Sequence, residues 1–265
     1  MEFEPAAYLV LFAGAFFAGL VDSMAGGGGL IQIPSLLHVL GTGSYPLVFG
    51  TNKLSSIVGT VGAAVRYAKG LKLPLNAILP ASLGALVFAY LGSLAVTYIS
   101  AELLTLLVPL LLSGVAIYTY RNKRLGFSHQ PKLSGVKERF YAFAMGAVVG
   151  FYDGFFGPGT GSFLMLGFVT LFGFDFLVAT ASAKIVNVVC NAASLALFYP
   201  AGFVLVGLGL GMSVFNLLGS TVGSSLALAH GAPLVRRVLL VVVSALIIKT
   251  GFSAYAPLLG ALMSR

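Results

Sequence analysis

Residues 21–34 read VDSMAGGGGLIQIP, an aspartate and four consecutive glycines set between strongly apolar stretches. Glycine costs a helix interior about 1 kcal/mol relative to alanine. An ionisable residue inside a membrane span is rare and expensive. The stretch therefore reads as an interruption, and its meaning depends on what flanks it. The chain of 265 residues is 58% hydrophobic and only 8% charged, with a mean hydropathy of +1.02. Soluble domains carry about one quarter charged residues. The composition thus predicts an all-α polytopic membrane protein with room for about 8–10 crossings of roughly 20 residues each.

The interruption occurs twice. Residues 151–164 read FYDGFFGPGTGSFL, in which Asp153 answers Asp22. Without a gap, the spacing from Asp22 to Asp153 also pairs Gly19 with Gly150, Gly26 with Gly157, Gly28 with Gly159 and Lys53 with Lys184. It pairs Gly92–Ser93 with Gly223–Ser224 as well. Two rare intramembrane charge types on one register predict two repeats. They lie near 5–121 and 139–262, which divides the chain into 1–121, a basic linker at 122–138, and 139–265. Each repeat has five apolar pieces, about 6–21, 29–41, 47–68, 74–99 and 102–120, then 140–152, 161–173, 177–199, 202–230 and 234–262. The last carries Lys249.

The net charge of +8 does not point to nucleic acid, because the basic residues cluster between apolar segments. RNKRLGFSHQPKLSGVKER, residues 121–139, is expected in the cytoplasm. Lys69, Lys72, Arg236 and Arg237 then fall on the same side, and the N-terminus and the uncharged YPAG turn at 199–202 fall outside. An odd number of crossings per repeat makes the halves antiparallel, the inverted plan of secondary transporters. The opening MEFEPAAYLV lacks the positive region of a signal peptide, so the first apolar segment is expected to stay. The single cysteine, Cys190, forms no intrachain disulfide and reads as a packing residue. There is no tryptophan, which leaves interfacial anchoring to tyrosines such as Tyr67 and Tyr199.

Pieces 29–41 and 161–173 each give about 20 Å of helix against a hydrocarbon core of roughly 30 Å. The glycine loops are therefore expected at depth, as broken or re-entrant helices at the midplane. Irregular backbone there must be buried in protein or line a wet cavity. Helices starting near Gly29 and Gly161 would aim free N–H groups into such a cavity, a setting that suits an anion. The competing reading makes them surface loops between short spans, with each aspartate a cap or turn residue.

The third piece of each repeat carries a polar stripe. Lys53, Ser56 and Thr60 follow i, i+3, i+7 spacing, as do Lys184, Asn187 and Asn191, so each set shares one helix face. Asn52 and Ser55 widen the first. A charge at the centre of a span costs about 2.5–3.5 kcal/mol. Asp22, Asp153, Lys53 and Lys184 therefore need a function or partners, and Asp22–Lys53 with Asp153–Lys184 are the ion pairs the register suggests. Lysines that snorkel to an interface are a third reading. The candidate substrate-binding residues are Lys53, Lys184, Asn52, Ser56, Asn187, Asn191, Gly28, Gly29, Gly159, Gly161, Ser162 and Gln32. Asp22 and Asp153 are candidates for proton coupling or structure. His38, His129 and His230 have no partners at metal-ligand spacing, and no nucleophile–base set or P-loop stands out. No metal, cofactor or enzymatic activity is expected. The GLGLG and GSTVG runs read as close helix packing. Asn216 has no assigned role.

GLVDSMAGGGGLIQIPSLL followed by GTNKLSSIVGTVGAAVRY, with GFYDGFFGPGTGSFL and ASAKIVNVVCNAASLALF as the second copy, resembles the sulfite exporter TauE/SafE family of membrane permeases. The resemblance spans nearly the whole chain. It implies an inner-membrane transporter for sulfite or a small organosulfur anion such as sulfoacetate, and does not fix the substrate. The positions it matches are Asp22, Gly26 to Gly29, Asn52, Lys53, Asp153, Gly157, Gly159, Gly161 and Lys184. Ala183 stands where the second copy lacks the asparagine. The leading expectation is a secondary transporter for a small anion, with the lipid bilayer as its other partner. A passive anion channel on the same scaffold and a membrane assembly factor remain open, as does homo-oligomerisation.

Overall fold

The computed structural model describes residues 4–41, 45–98, 126 and 128–263, the side chains of 243 and 245–263 excepted. The expected piece at 102–120 and the linker residues Arg121, Lys123 and Arg124 lie outside the described residues. All regular structure described is helical: α1 Pro5–Ala25, α2 Gly29–Leu40, α3 Tyr45–Gly70, α4 Leu75–Ala95, α5 Gly135–Phe155, α6 Thr160–Thr170, α7 Phe176–Phe198 and α8 Val206–Met263. Pro5 opens α1, where its missing N–H is no loss. Gly231, with φ +66°, breaks α8 between the two apolar pieces expected there. Among the described residues, α1, α4, α7 and residues 206–242 of α8 are long and apolar enough to cross a bilayer. Helices α2 and α6 are shorter and reach only about 18 and 16 Å.

The helix starts keep the register of the sequence. The spacing that carries Asp22 onto Asp153 also carries Gly29, Tyr45 and Leu75 onto Thr160, Phe176 and Val206, the first residues of α6, α7 and α8. Only α5 departs from it, starting one position early at Gly135. Packing is reciprocal in that register. α4 lies along α5, and α1 lies along α8. Both seams use glycine to bring backbones together in place of side chains, which suits association in lipid. A Cβ on Gly154 would fall 1.9 Å from the Ala89 carbonyl oxygen, and one on Gly219 1.9 Å from that of Phe16. The outer faces of α4 and α8, with Leu79, Leu83, Leu210 and Val214, are exposed and apolar, as lipid-facing surfaces are. The lysine helices α3 and α7 pack on each other between the seams.

The chain entering α5 is tied to the loop between α6 and α7. Gln130 N–H donates to the Gly173 carbonyl at 2.8 Å and Lys132 N–H to that of Phe172 at 3.0 Å. Lys132 Nζ reaches the Thr170 carbonyl at 2.9 Å. The start of α5, the end of α6 and the start of α7 therefore share one end of the molecule. Asp175 caps α7 by accepting from the N–H groups of Leu177 and Val178, both at 2.9 Å. His129 stacks on Phe174 and stands 3.4 Å from the Asp175 carboxylate.

Candidate functional site

The aspartates are not in the loops. α1 runs past Asp22 to Ala25 and α5 past Asp153 to Phe155, so both carboxylates sit in the last turn of a helix. This corrects the boundaries expected at 21 and 152. A negative charge is unfavourable at that end of the helix dipole, so each carboxylate needs a cation. The glycines make the turns that follow. Gly26, Gly157 and Gly159 have φ of +77°, +90° and +86°, a region open to glycine and strained for other residues.

The two loops meet. A Cβ on Gly26 would lie 2.2 Å from the backbone of Gly161, and Ser162 N–H donates to the Gly26 carbonyl at 3.1 Å. Ser162 Oγ donates to the Ala25 carbonyl at 2.7 Å. Ser162 thus joins the loops and does not line a cavity. Ile31 holds the matching place in the first copy, so that hydroxyl bond has no reciprocal.

Lys53 on α3 pairs with Asp153 on α5, donating to its carboxylate and, at 3.0 Å, to its main-chain carbonyl. Lys184 on α7 pairs with Asp22 on α1 at 2.6 Å. The pairs cross between the halves, which corrects the Asp22–Lys53 and Asp153–Lys184 pairing. The reason is depth. Asp153 lies about five helical turns beyond Gly135, where α5 starts, and Lys184 only about two beyond Phe176, where α7 starts. These are about 27 Å and 12 Å along the helices. Both helices start at the same end of the molecule, so Asp153 lies deeper from that end than Lys184. Asp22, near the end of α1, and Lys53, about two turns into α3, stand in the same relation within the first half.

Between the pairs lies a cavity of about 30 Å³, room for about one or two waters. Asp22, Asp153, Lys53, Asn52 and Ser56 line it, as do Asn187 and Asn191. Its floor is backbone at Gly29, Gly159 and Gly161, with Gly26 and Gly157 beside them. Asn187 and Asn191 are 6% and 4% exposed and hydrogen-bond to nothing among the described residues. Asn52 Oδ1 is buried without a partner. Buried polar groups are ordinarily satisfied, so three unpartnered carboxamides around one cavity point to a ligand.

Four sequence candidates stand elsewhere. Lys184 is behind Asp22, 1% exposed. Gly28 packs under Asp22 and donates its N–H to the carboxylate at 3.3 Å. Ser162 bridges the loops. Gln32 accepts from Asn216 Nδ2 at 3.0 Å, and the same Nδ2 reaches the Ala15 carbonyl at 3.2 Å. Asn216 therefore fastens α8 to α1 and α2. Four lining residues were not among the candidates: Gly26 and Gly157 at the turns, and two threonines. Thr60 ends the first polar stripe, and Thr160 occupies the position that Gly29 holds in the first copy.

Residues 11–250 match the sulfite exporter TauE/SafE family. The chain is 41% identical over 240 residues to the probable membrane transporter protein ORF9 of Sinorhizobium sp, covering 90% of each chain. It is 36% identical over 235 residues to the probable membrane transporter protein YfcA of Escherichia coli K12, covering 88% of this chain and 85% of that one. A probable membrane transporter protein of Haemophilus influenzae is 33% identical over 233 residues, covering 88% and 89%. No solved structure matches. With a match across most of its length and relatives above one-third identity, this multi-pass membrane transporter belongs to the sulfite exporter TauE/SafE family.

Proposed function

We propose that the protein is a proton-coupled secondary transporter for a small anion, sulfite or an organosulfonate, in the cell inner membrane. One observation carries this reading: a buried cavity that joins two lysine–aspartate pairs to three carboxamides without partners among the described residues. Amide N–H groups and the backbone at two helix N-termini suit oxyanion oxygens. Lys53 and Lys184 supply the positive charge. The cavity holds about a water or two, less than a four-atom oxyanion requires. To take such an anion it must widen, toward one side of the membrane at a time.

The proposed scaffold is a pair of inverted repeats, 1–121 and 139–265, around this midplane site, with the N-terminus outside and the linker at 122–138 cytoplasmic. The depth relation supports it. In parallel repeats, Asp153 about 27 Å into its helix and Lys53 about 12 Å into its own would be far apart. Running opposite ways, they meet, as their hydrogen bonds require. The return of α6 to the end where α5 starts supports re-entrant hairpins at α1–α2 and α5–α6.

The test is transport by purified protein in liposomes with an imposed pH gradient. The reading expects labelled sulfite or a sulfonate to accumulate above its equilibrium level, and to redistribute when a protonophore collapses the gradient. Equilibration without accumulation would make the protein a passive channel, and no flux of any anion would remove the transporter reading.

A further inference from the structure

The two ion pairs are not equivalent. Lys53 is held twice by Asp153, through carboxylate and carbonyl, and neither side chain is more than 4% exposed. Among the described residues Lys184 has a single partner, the Asp22 carboxylate. Asp22 is 17% exposed and lines the cavity, while Lys184 is 1% exposed and does not. The Asp22 carboxylate therefore stands between the Lys184 ammonium and the cavity. The other groups facing Asp22 are few. The Tyr67 hydroxyl on α3 is committed to the Ser23 carbonyl at 2.8 Å, Gly28 donates its N–H to Asp22, and Lys53 and Asp153 stand across the cavity.

The charges of Lys53, Lys184, Asp22 and Asp153 sum to zero. An anion entering that set leaves one negative charge uncompensated in a low-dielectric site, which is expensive. A proton on one carboxylate restores neutrality. Asp22 is placed to take it, being the partly open carboxylate on the singly held lysine. Asp153 also lines the cavity, but it is only 3% exposed and holds its lysine through both carboxylate and main-chain carbonyl.

Resting on the transporter reading, we infer that Asp22 is the single exchangeable counter-ion of the site and that the substrate is a singly charged oxyanion. Asp22 takes one proton from the aqueous side and becomes a neutral carboxylic acid. It swings off Lys184, and the anion becomes the counter-ion of that ammonium. The Lys53–Asp153 pair stays closed. On the far side the anion leaves, Asp22 gives up its proton, and the Lys184–Asp22 pair reforms. One proton and one negative charge move together, so each cycle is electroneutral. Hydrogen sulfite and simple sulfonates meet this requirement, whereas sulfate and doubly ionised sulfoacetate do not. The carboxamides of Asn52, Asn187 and Asn191 donate to the anion's oxygens and can also accept from the hydroxyl of hydrogen sulfite.

Titration calorimetry of the purified protein at neutral pH, in buffers of different ionisation enthalpy, counts the protons taken up per anion. The probes are methanesulfonate, hydrogen sulfite, sulfate and sulfoacetate. The expected result is one proton per methanesulfonate bound, and sulfate weaker by roughly tenfold or more. Asp22→Asn should bind methanesulfonate with no proton uptake. If Asp22→Asn does not fold, the wild-type count and the sulfate comparison decide. Zero or two protons per anion in the wild type, uptake persisting in Asp22→Asn, or sulfate bound as tightly as methanesulfonate would each overturn the inference and leave the transporter reading standing. Binding of none of the four would remove both.

Discussion

Lys53 closes on Asp153, 100 residues ahead of it in the chain, and leaves Asp22 to Lys184. The arrangement makes the site a property of both halves together. Truncating one member of a buried pair leaves an uncompensated charge and typically costs about 3–5 kcal/mol. Lys53→Ala is therefore expected to lower the stability of the purified protein by that order. Adding Asp153→Ala should recover most of the loss, and adding Asp22→Ala should not. Thermal unfolding in detergent across the set reads the coupling. Equal rescue by either aspartate would contradict the crossed pairing.

Asn187 and Asn191 make a different demand. Because neither side chain bonds to protein among the described residues, replacing it by alanine removes no native contact of that kind. Each single variant should unfold within about 0.5 kcal/mol of the parent, since no hydrogen bond is broken. Anion affinity should fall by roughly ten- to a hundredfold, the value of about one hydrogen bond to a charged group. Calorimetric affinity beside thermal unfolding separates the effects. Loss of stability with unchanged affinity would make the amides structural.

The glycine seams give a steric forecast. Gly154→Ala places a methyl 1.9 Å from the Ala89 carbonyl oxygen, so α4 and α5 must part. A loss of several kcal/mol or failure to assemble is expected, given that ordinary overpacking already costs about 1–3 kcal/mol. Gly207→Ala, helical with nothing within 4 Å, should instead gain about 0.5–1 kcal/mol. Expression level and melting temperature of the two variants supply the comparison.

Beside the linker, Asp175 caps α7 and faces His129, which also stacks on Phe174. Asp175→Ala removes the cap of α7 and should cost about 0.5–2 kcal/mol. His129→Ala removes a half-exposed contact, charged only when the imidazole is protonated, and should cost less than about 1 kcal/mol. Melting curves in which His129→Ala is the worse of the two would show that the imidazole, not the cap, holds this corner.

Orientation has its own check. Ser128 lies in the linker and Ala201 in the turn between α7 and α8, and both are exposed. In a Cys190→Ala background, Ser128→Cys should react with a membrane-impermeant maleimide only in inverted vesicles, and Ala201→Cys only in intact cells. Labelling of both from one side would be incompatible with the inverted arrangement.

Much of this site could be read in one dimension because intramembrane charges are rare. The shared register of Asp22 with Asp153 and of Lys53 with Lys184 needed no structure. The i, i+3, i+7 stripe likewise placed Asn187 and Asn191 on one face of α7. The break at Gly231 fell between two apolar runs. Pairing was not legible, because the partner of a lysine depends on the end from which each helix starts and on how many turns it runs before its charge. Ser162 and Gln32 were misread for a related reason. Near a helix start, neighbours in sequence point to different faces, and only the packing of α8 and of the opposite loop decides which face meets the cavity. Asn216 was silent until Gln32 stood beside it.

The crossed pairs also set a condition on synthesis. Lys53 leaves the ribosome 100 residues ahead of Asp153, and Asp22 is made 162 residues ahead of Lys184. At roughly 5–20 residues per second, the first lysine waits about 5–20 s for its counter-ion and the first aspartate about 8–30 s. During that interval the nascent first half must hold two uncompensated charges within or beside the bilayer. Shelter in the insertion machinery, or water kept around those side chains, has to bridge the gap. Slowing translation between the halves should therefore expose the newborn chain to membrane quality-control proteolysis, and supplying the second half as a separate polypeptide should protect it.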